Sequence, residues 1–149
     1  MIRLLHILSS ALMLGVGVGA FWFVQRAAAT RDPGVMREAT HSAVAAELAF
    51  GIPVAIVQPL TGWLLMEQLG YSFSSVWFWS VVAAYIVTGM CWVYLVKAEF
   101  RLRALTAGRA AGGEVAGLDA EFAAARRLAV ATLAGVVLLF ALMVFRPGL

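Results

Sequence analysis

Charge is what this chain has least of. Only 13% of its 149 residues are Asp, Glu, Lys or Arg, while 63% are hydrophobic. A soluble domain carries about 25% and 45–50% respectively. A chain this short cannot hide so much apolar surface in its own interior, because small domains leave much of their surface exposed. The excess calls for lipid. Cysteine is nearly absent, and a lone Cys91 excludes an internal disulfide and a Cys-rich metal site. Cys91 lies in an apolar run and reads as a small packing residue. Enzyme motifs are missing too: there is no phosphate loop, no paired Cys ligands and no Ser/His/Asp set at one depth. Gly15, Gly17 and Gly19 lie mid-helix after no strand, so they are not a dinucleotide fingerprint. The net charge of +3 resides in short polar loops and is not a nucleic-acid signal.

What remains is apolar sequence in four runs, predicting helices over about 4–25, 40–68, 74–100 and 121–145. Each is long enough for the ~30 Å hydrocarbon layer. The expectation is an all-α, multi-pass protein of the bacterial inner membrane, with residues 1–149 forming a single four-helix domain in contact with the bilayer. The first run is too long for a signal-peptide core, and Phe21-Trp22-Phe23 stands where small residues would be needed. Gly15 and Gly19 form a small-xxx-small pair that lets a neighbouring helix approach. His6, Ser10, Met13 and Gly17 share a stripe expected to face the bundle. Asp32-Pro33-Gly34 marks a turn within a polar segment from Arg26 to Glu38, and Leu69 to Ser72 a tight connection. Trp77 and Trp79 predict an aromatic belt. Ala104 to Asp119, with Gly112-Gly113, reads as a flexible loop, and Pro147-Gly148 ends the last helix.

Lys and Arg set the orientation. Arg26, Arg31 and Arg37 lie in the first loop, and Lys97, Arg101, Arg103, Arg109, Arg126 and Arg127 in or beside the third. Arg3 and Arg146 alone face the other side. The positive-inside bias therefore predicts both termini on the outer, periplasmic side. His6 and His41 then lie near opposite surfaces, separated by roughly the ~30 Å layer. Two ligands of one metal each lie about 2 Å from it, so these two cannot share an iron or zinc. His6 with Met66 or Met143 is the available axial pair for haem b. Alternatively His6 bonds a serine or carbonyl near the interface.

The second helix carries the sharper pattern. In an unbroken helix Gln58 and Thr61 fall about 20° and about 40° to either side of Glu47, a polar intramembrane stripe, while His41 points about 120° away. Pro53 interrupts the helix between Glu47 and Gln58 and frees a carbonyl. Glu47 is costly in hydrocarbon without a partner or proton. Two roles stay open for it: a proton, ion or cofactor-propionate contact, or an ion pair with Arg26, Lys97 or Arg126. The third helix has its own stripe of Tyr85, Thr88, Trp92 and Glu99, more typical of packing.

Several segments together resemble a bacterial family of small predicted integral membrane proteins classed as a domain of unknown function. They are Leu5 to Ser9, Glu47 to Pro53, Gln58 to Gly62, Leu69 to Tyr71 and Met143 to Pro147. The resemblance covers nearly the whole chain. The family usually has Asp at Glu47 and Lys at Arg146. It is distantly similar to the copper-resistance D proteins and the haem-containing protoporphyrinogen IX oxidases, which implies a four-helix bundle and a haem ligand at His6. Phe23-Val24-Gln25-Arg26 stands where those oxidases have a Tyr-His signature, so the likeness does not extend to a second ligand or to their reaction. The expected function is therefore haem b binding in a redox or haem-handling role. The alternative is a non-catalytic accessory subunit, bound to other membrane subunits or to copies of itself. Proton or ion conduction along Glu47 and Gln58 is a third.

Orientation is open to direct measurement. A reporter fused to the C-terminus is expected to be accessible from outside the cell, and access from the cytoplasm alone contradicts the assignment.

Overall fold

A computed structural model describes residues 1–112 and 116–146. Its helices are α1 (Ile2–Thr30), α2 (Pro33–Ala46), α3 (Ile52–Leu69), α4 (Val76–Ala110) and α5 (Leu118–Phe145), with a π-helical turn, Glu47–Gly51, joining α2 to α3. Pro33–Leu69 is thus one rod of 37 residues, and the chain has four spans long and apolar enough to cross a membrane. Lipid cannot satisfy a bare backbone, so a helix that closes its own hydrogen bonds is the stable form. The exterior is apolar almost all round, with Leu4, Leu8, Trp22, Ile56, Leu60 and Val137 exposed.

The helices run longer than the sequence pattern suggests, and the ends explain why. The polar segment expected from Arg26 to Glu38 shrinks to Arg31 and Asp32. Arg31 closes α1 in the left-handed region, at φ 56°. Asp32 then caps α2, accepting from the N–H groups of Gly34 at 2.7 Å and Val35 at 3.1 Å. Pro33 occupies the first turn, where its missing N–H costs nothing. At the other end of the rod Gly70, at φ 66°, turns the chain, and Tyr71 N–H reaches back to Met66 O at 3.1 Å. The loop expected from Ala104 is helical as far as Ala110, because Leu102 and Thr106 are fully buried there. Gly113, Pro147 and Gly148 lie outside the described residues.

In the bundle α1 packs on α2 and α3, while α4 packs on α5 and α2. The densest core is at the end holding the α1–α2 and α4–α5 loops, where Val24, Met36, Ala43, Leu102, Phe122 and Ala125 meet. Toward the end holding the termini α3 leans on α1 and stands off α4. Gly17 meets Leu133 of α5, with room for a methyl group only at 3.3 Å. Gly15 and Gly19 have nothing near them, so that pair takes no helix of this chain. At the terminal end Trp63 packs tilted on Phe73, and Phe73, Phe78 and Trp79 follow edge to face. Trp79 is exposed, as a belt residue should be, but Trp77 turns inward and donates to Leu142 O at 2.7 Å. Arg146 bonds the Tyr71 hydroxyl and lies over its ring.

The helices α4 and α5 come close at Gly135, where an added methyl group would overlap the Thr88 side chain. Gly135→Ala is expected to destabilise the fold by about 1–3 kcal/mol, whereas Gly15→Ala should have little effect. Reversible unfolding in mixed detergent compares the two.

Candidate functional site

The rod is organised by its prolines. Pro53 has no N–H, and its ring would strike the carbonyl four residues back, at Ala49. Widening the preceding turn avoids the clash. Glu47–Gly51 is accordingly π-helical, and Ile52 N–H reaches Glu47 O, five residues away. Pro59 acts differently. It leaves the carbonyl of Ala55 without its helical donor, and the Tyr85 hydroxyl of α4 supplies one at 2.5 Å. The freed carbonyl that is used therefore belongs to Pro59, not to Pro53.

The π turn also redirects the polar stripe. One extra residue in the turn removes about 100° of advance, so Thr61 stands about 140° from Glu47 rather than about 40°. All three side chains are buried, but they serve different helices. Gln58 and Thr61 turn to α1 and meet His6. Glu47 turns to α4, where Trp92 Nε1 donates to its Oε2 at 2.7 Å. The cations considered as partners for Glu47, namely Arg26, Lys97 and Arg126, are all exposed. Gly51 makes the Glu47–Trp92 contact possible, since a methyl group there would overlap the carboxylate.

His6 is held from several sides. Its Nδ1 lies 2.7 Å from Thr61 Oγ1. Thr61 donates its own proton back to Val57 O at 2.7 Å, so the His6 Nδ1–H is the donor in their shared bond. The Nε2 lone pair is left available. The His6 carbonyl accepts from Gln58 Nε2 at 3.1 Å, Ser9 Oγ at 3.1 Å and Ser10 Oγ at 2.9 Å. Gly62 leaves space for the ring, with a hypothetical Cβ 3.5 Å from His6 Cε1. His41 is exposed. Met66 is buried, but it follows Thr61 by five residues and so points about 140° from the His6 face. Met143 is half-buried on α5.

Between α4 and the rod runs a ladder of polar residues spaced by seven: Tyr85, Trp92, Glu99 and Thr106. Seven residues are two helical turns, so all four share a face. Tyr85 reaches Ala55 O, Trp92 reaches Glu47, and Thr106 shares a 2.8 Å hydrogen bond with Thr40. Glu99 sits between two of these rungs. It is only 7% exposed, and its Oε2 has no hydrogen-bond partner among the described residues. The sequence pattern put Tyr85, Trp92 and Glu99 on one stripe. Thr106, placed in the loop, was the missing rung that would have revealed the repeat. A cavity of about 80 Å³ lies mid-bundle, lined by Glu47, Tyr85, Thr88, Trp92 and Thr132 among apolar side chains. A smaller one of about 20 Å³ lies beside Glu99, with Gln25 and Thr40 on its wall. Among the described residues no three His, Cys, Asp or Glu side chains cluster to hold a metal ion.

These features define an all-helical, four-span membrane protein with two buried polar centres. The chain belongs to the family described as predicted integral membrane protein (DUF2269), whose match covers residues 1–147. No curated protein and no solved structure matches it.

The Glu47–Trp92 contact predicts an asymmetry. Trp92→Phe deprives a buried carboxylate of its donor and should cost about 1–3 kcal/mol. Glu47→Gln keeps an acceptor for the Trp92 N–H and should cost less. Unfolding of the two variants in mixed detergent checks the order.

Proposed function

We propose that this protein binds haem b through His6, in a redox or haem-handling role at the terminal end of the bundle. The observation that carries it is the state of the His6 ring. Its Nδ1–H is fixed on Thr61, so the neutral tautomer keeps Nε2 as a lone-pair donor. An orienting hydrogen bond on the far nitrogen is the usual setting of a metal-ligating histidine. Three further bonds to the His6 carbonyl and the space over Gly62 hold the ring in place.

His6 would hold a haem through its free Nε2. Bound there, haem would supply one-electron chemistry. The mid-bundle cavity, at about 80 Å³, has room for a few waters and not for a porphyrin. The half-buried edge of His6 is therefore where a haem would be met. Of the two methionines, Met143 is half-buried and Met66 only 6% exposed, so Met143 is the better placed second ligand.

Protein purified in mild detergent from haem-replete cells should show a Soret band. His6→Ala should abolish it, and Met143→Ala should change the axial pattern without removing the haem. Wild-type protein without a Soret band ends the proposal. A haem-free protein that co-purifies with another membrane protein would instead support an accessory-subunit role, for which Gly15 and Gly19 leave an open face on α1.

A further inference from the structure

The unpaired rung of the α4 ladder points to a second centre, separate from His6. Three rungs join α4 to the rod by hydrogen bonds. The fourth, Glu99, faces the buried Ala43 in place of a polar partner. An ionisable side chain in the interior of a membrane bundle, lacking a counter-ion, is a functional site by default. Here its Oε2 is sealed from solvent and has no partner among the described residues, and Glu99 is one of the residues lining the small loop-end cavity. Glu47 is the next acid along the same interface. It bonds Trp92, which is two turns from Glu99, or about 10 Å along the axis.

The neighbours decide what the two acids hold. Facing Glu99 are Gln25 from α1, Thr40 and Ala43 from α2, and Ala125 and Ala129 from α5. Glu47 is the other buried acid in that interior, and the Tyr85 hydroxyl near it is spent on Ala55 O. Arg26, Lys97, Arg101 and Arg126 are exposed, and Arg103, one turn beyond Glu99, is half-buried and forms no ion pair with it. A metal cation such as Ca²⁺ would want six to eight oxygen ligands. These walls are mostly methyl groups, and Trp92 presents an N–H to Glu47. Two carboxylates without a cation between them cannot both ionise easily in an apolar bundle. A proton meets that need where a metal ion does not.

We propose that Glu47 and Glu99 form an internal proton-binding pair, loaded from the loop end of the bundle through the cavity beside Glu99. A hydronium ion at the loop end gives a proton to the Glu99 carboxylate, which becomes a carboxylic acid and leaves a water behind. When Glu47 takes that proton, Glu99 returns to the carboxylate and is reloaded. Nothing is oxidised or reduced. At about 20 Å³ the cavity has the volume of one water, and Gln25, Thr40 and Glu99 are the polar residues in its lining.

Infrared spectroscopy of the full chain in lipid nanodiscs tests this. Wild-type protein at neutral pH should show a carboxylic-acid carbonyl band that shifts in heavy water. Glu99→Gln should weaken the band and slow its exchange several-fold, and Trp92→Phe should move its frequency through Glu47. Gln25→Leu, which leaves both acids in place, should slow the exchange without removing the band. It serves as the second variant if Glu99→Gln does not fold. No exchangeable carboxylic-acid band in wild type, or a band unchanged in both Glu47→Gln and Glu99→Gln, overturns the pair. Exchange at the wild-type rate in both Glu99→Gln and Gln25→Leu overturns loading from the loop end. The Soret band proposed for His6 should be unaffected by Glu99→Gln, so the two proposals can fail separately.

Discussion

The hydrogen bond from Trp92 to Glu47 is the contact on which the arrangement of the interior turns. A carboxyl group inside a bilayer must find a donor, a counter-ion or a proton. Here the counter-ions stay outside and the donor is an indole N–H on the neighbouring helix. Bringing the two together needs a rod that turns Glu47 toward α4, and a glycine at position 51 that leaves space for the carboxylate. The π turn supplies the first. It follows from Pro53, whose ring cannot be accommodated by an ordinary α-helical turn.

From that turn the rod serves two sides of the bundle. On its loop-end half it pairs with α4 through Thr40 and Glu47. On its terminal half it pairs with α1 through Gln58 and Thr61, which together fix His6. Tyr85 bridges the halves by taking the carbonyl released by Pro59. The buried polar groups thus fall into two centres. One presents an imidazole lone pair near the termini. The other encloses two acids deep among the loops' helices.

Much of this was legible in the residues. Composition alone required lipid, and each of the four apolar runs overlaps one span of the structure. The polar residues of the second helix were also identifiable as buried. Their directions were not, because a periodicity of 100° per residue assumes an unbroken α-helix, and Pro53 announces a disturbance without saying that it will be a π turn. Helix ends were missed for a related reason. Asp32 and Pro33 form a cap that makes a polar stretch helical, and the Gly and Ala that follow Thr106 give it the pattern of a loop. Losing Thr106 concealed the seven-residue ladder and the unpaired position of Glu99. His6 could be singled out by rarity alone, but its tautomer depends on Thr61, a residue 55 positions away.

The redirecting turn is the central claim, and the indole N–H resonance of Trp92 measures it most directly. In tryptophan-labelled protein in lipid nanodiscs, Glu47→Ala is predicted to move the Trp92 indole N–H resonance far more than those of the other tryptophans, because it removes the acceptor of that N–H. Gln58→Ala, on the half of the rod that serves α1, should leave it in place. A Trp92 resonance unmoved by Glu47→Ala would contradict the π turn and the division of the interior that rests on it.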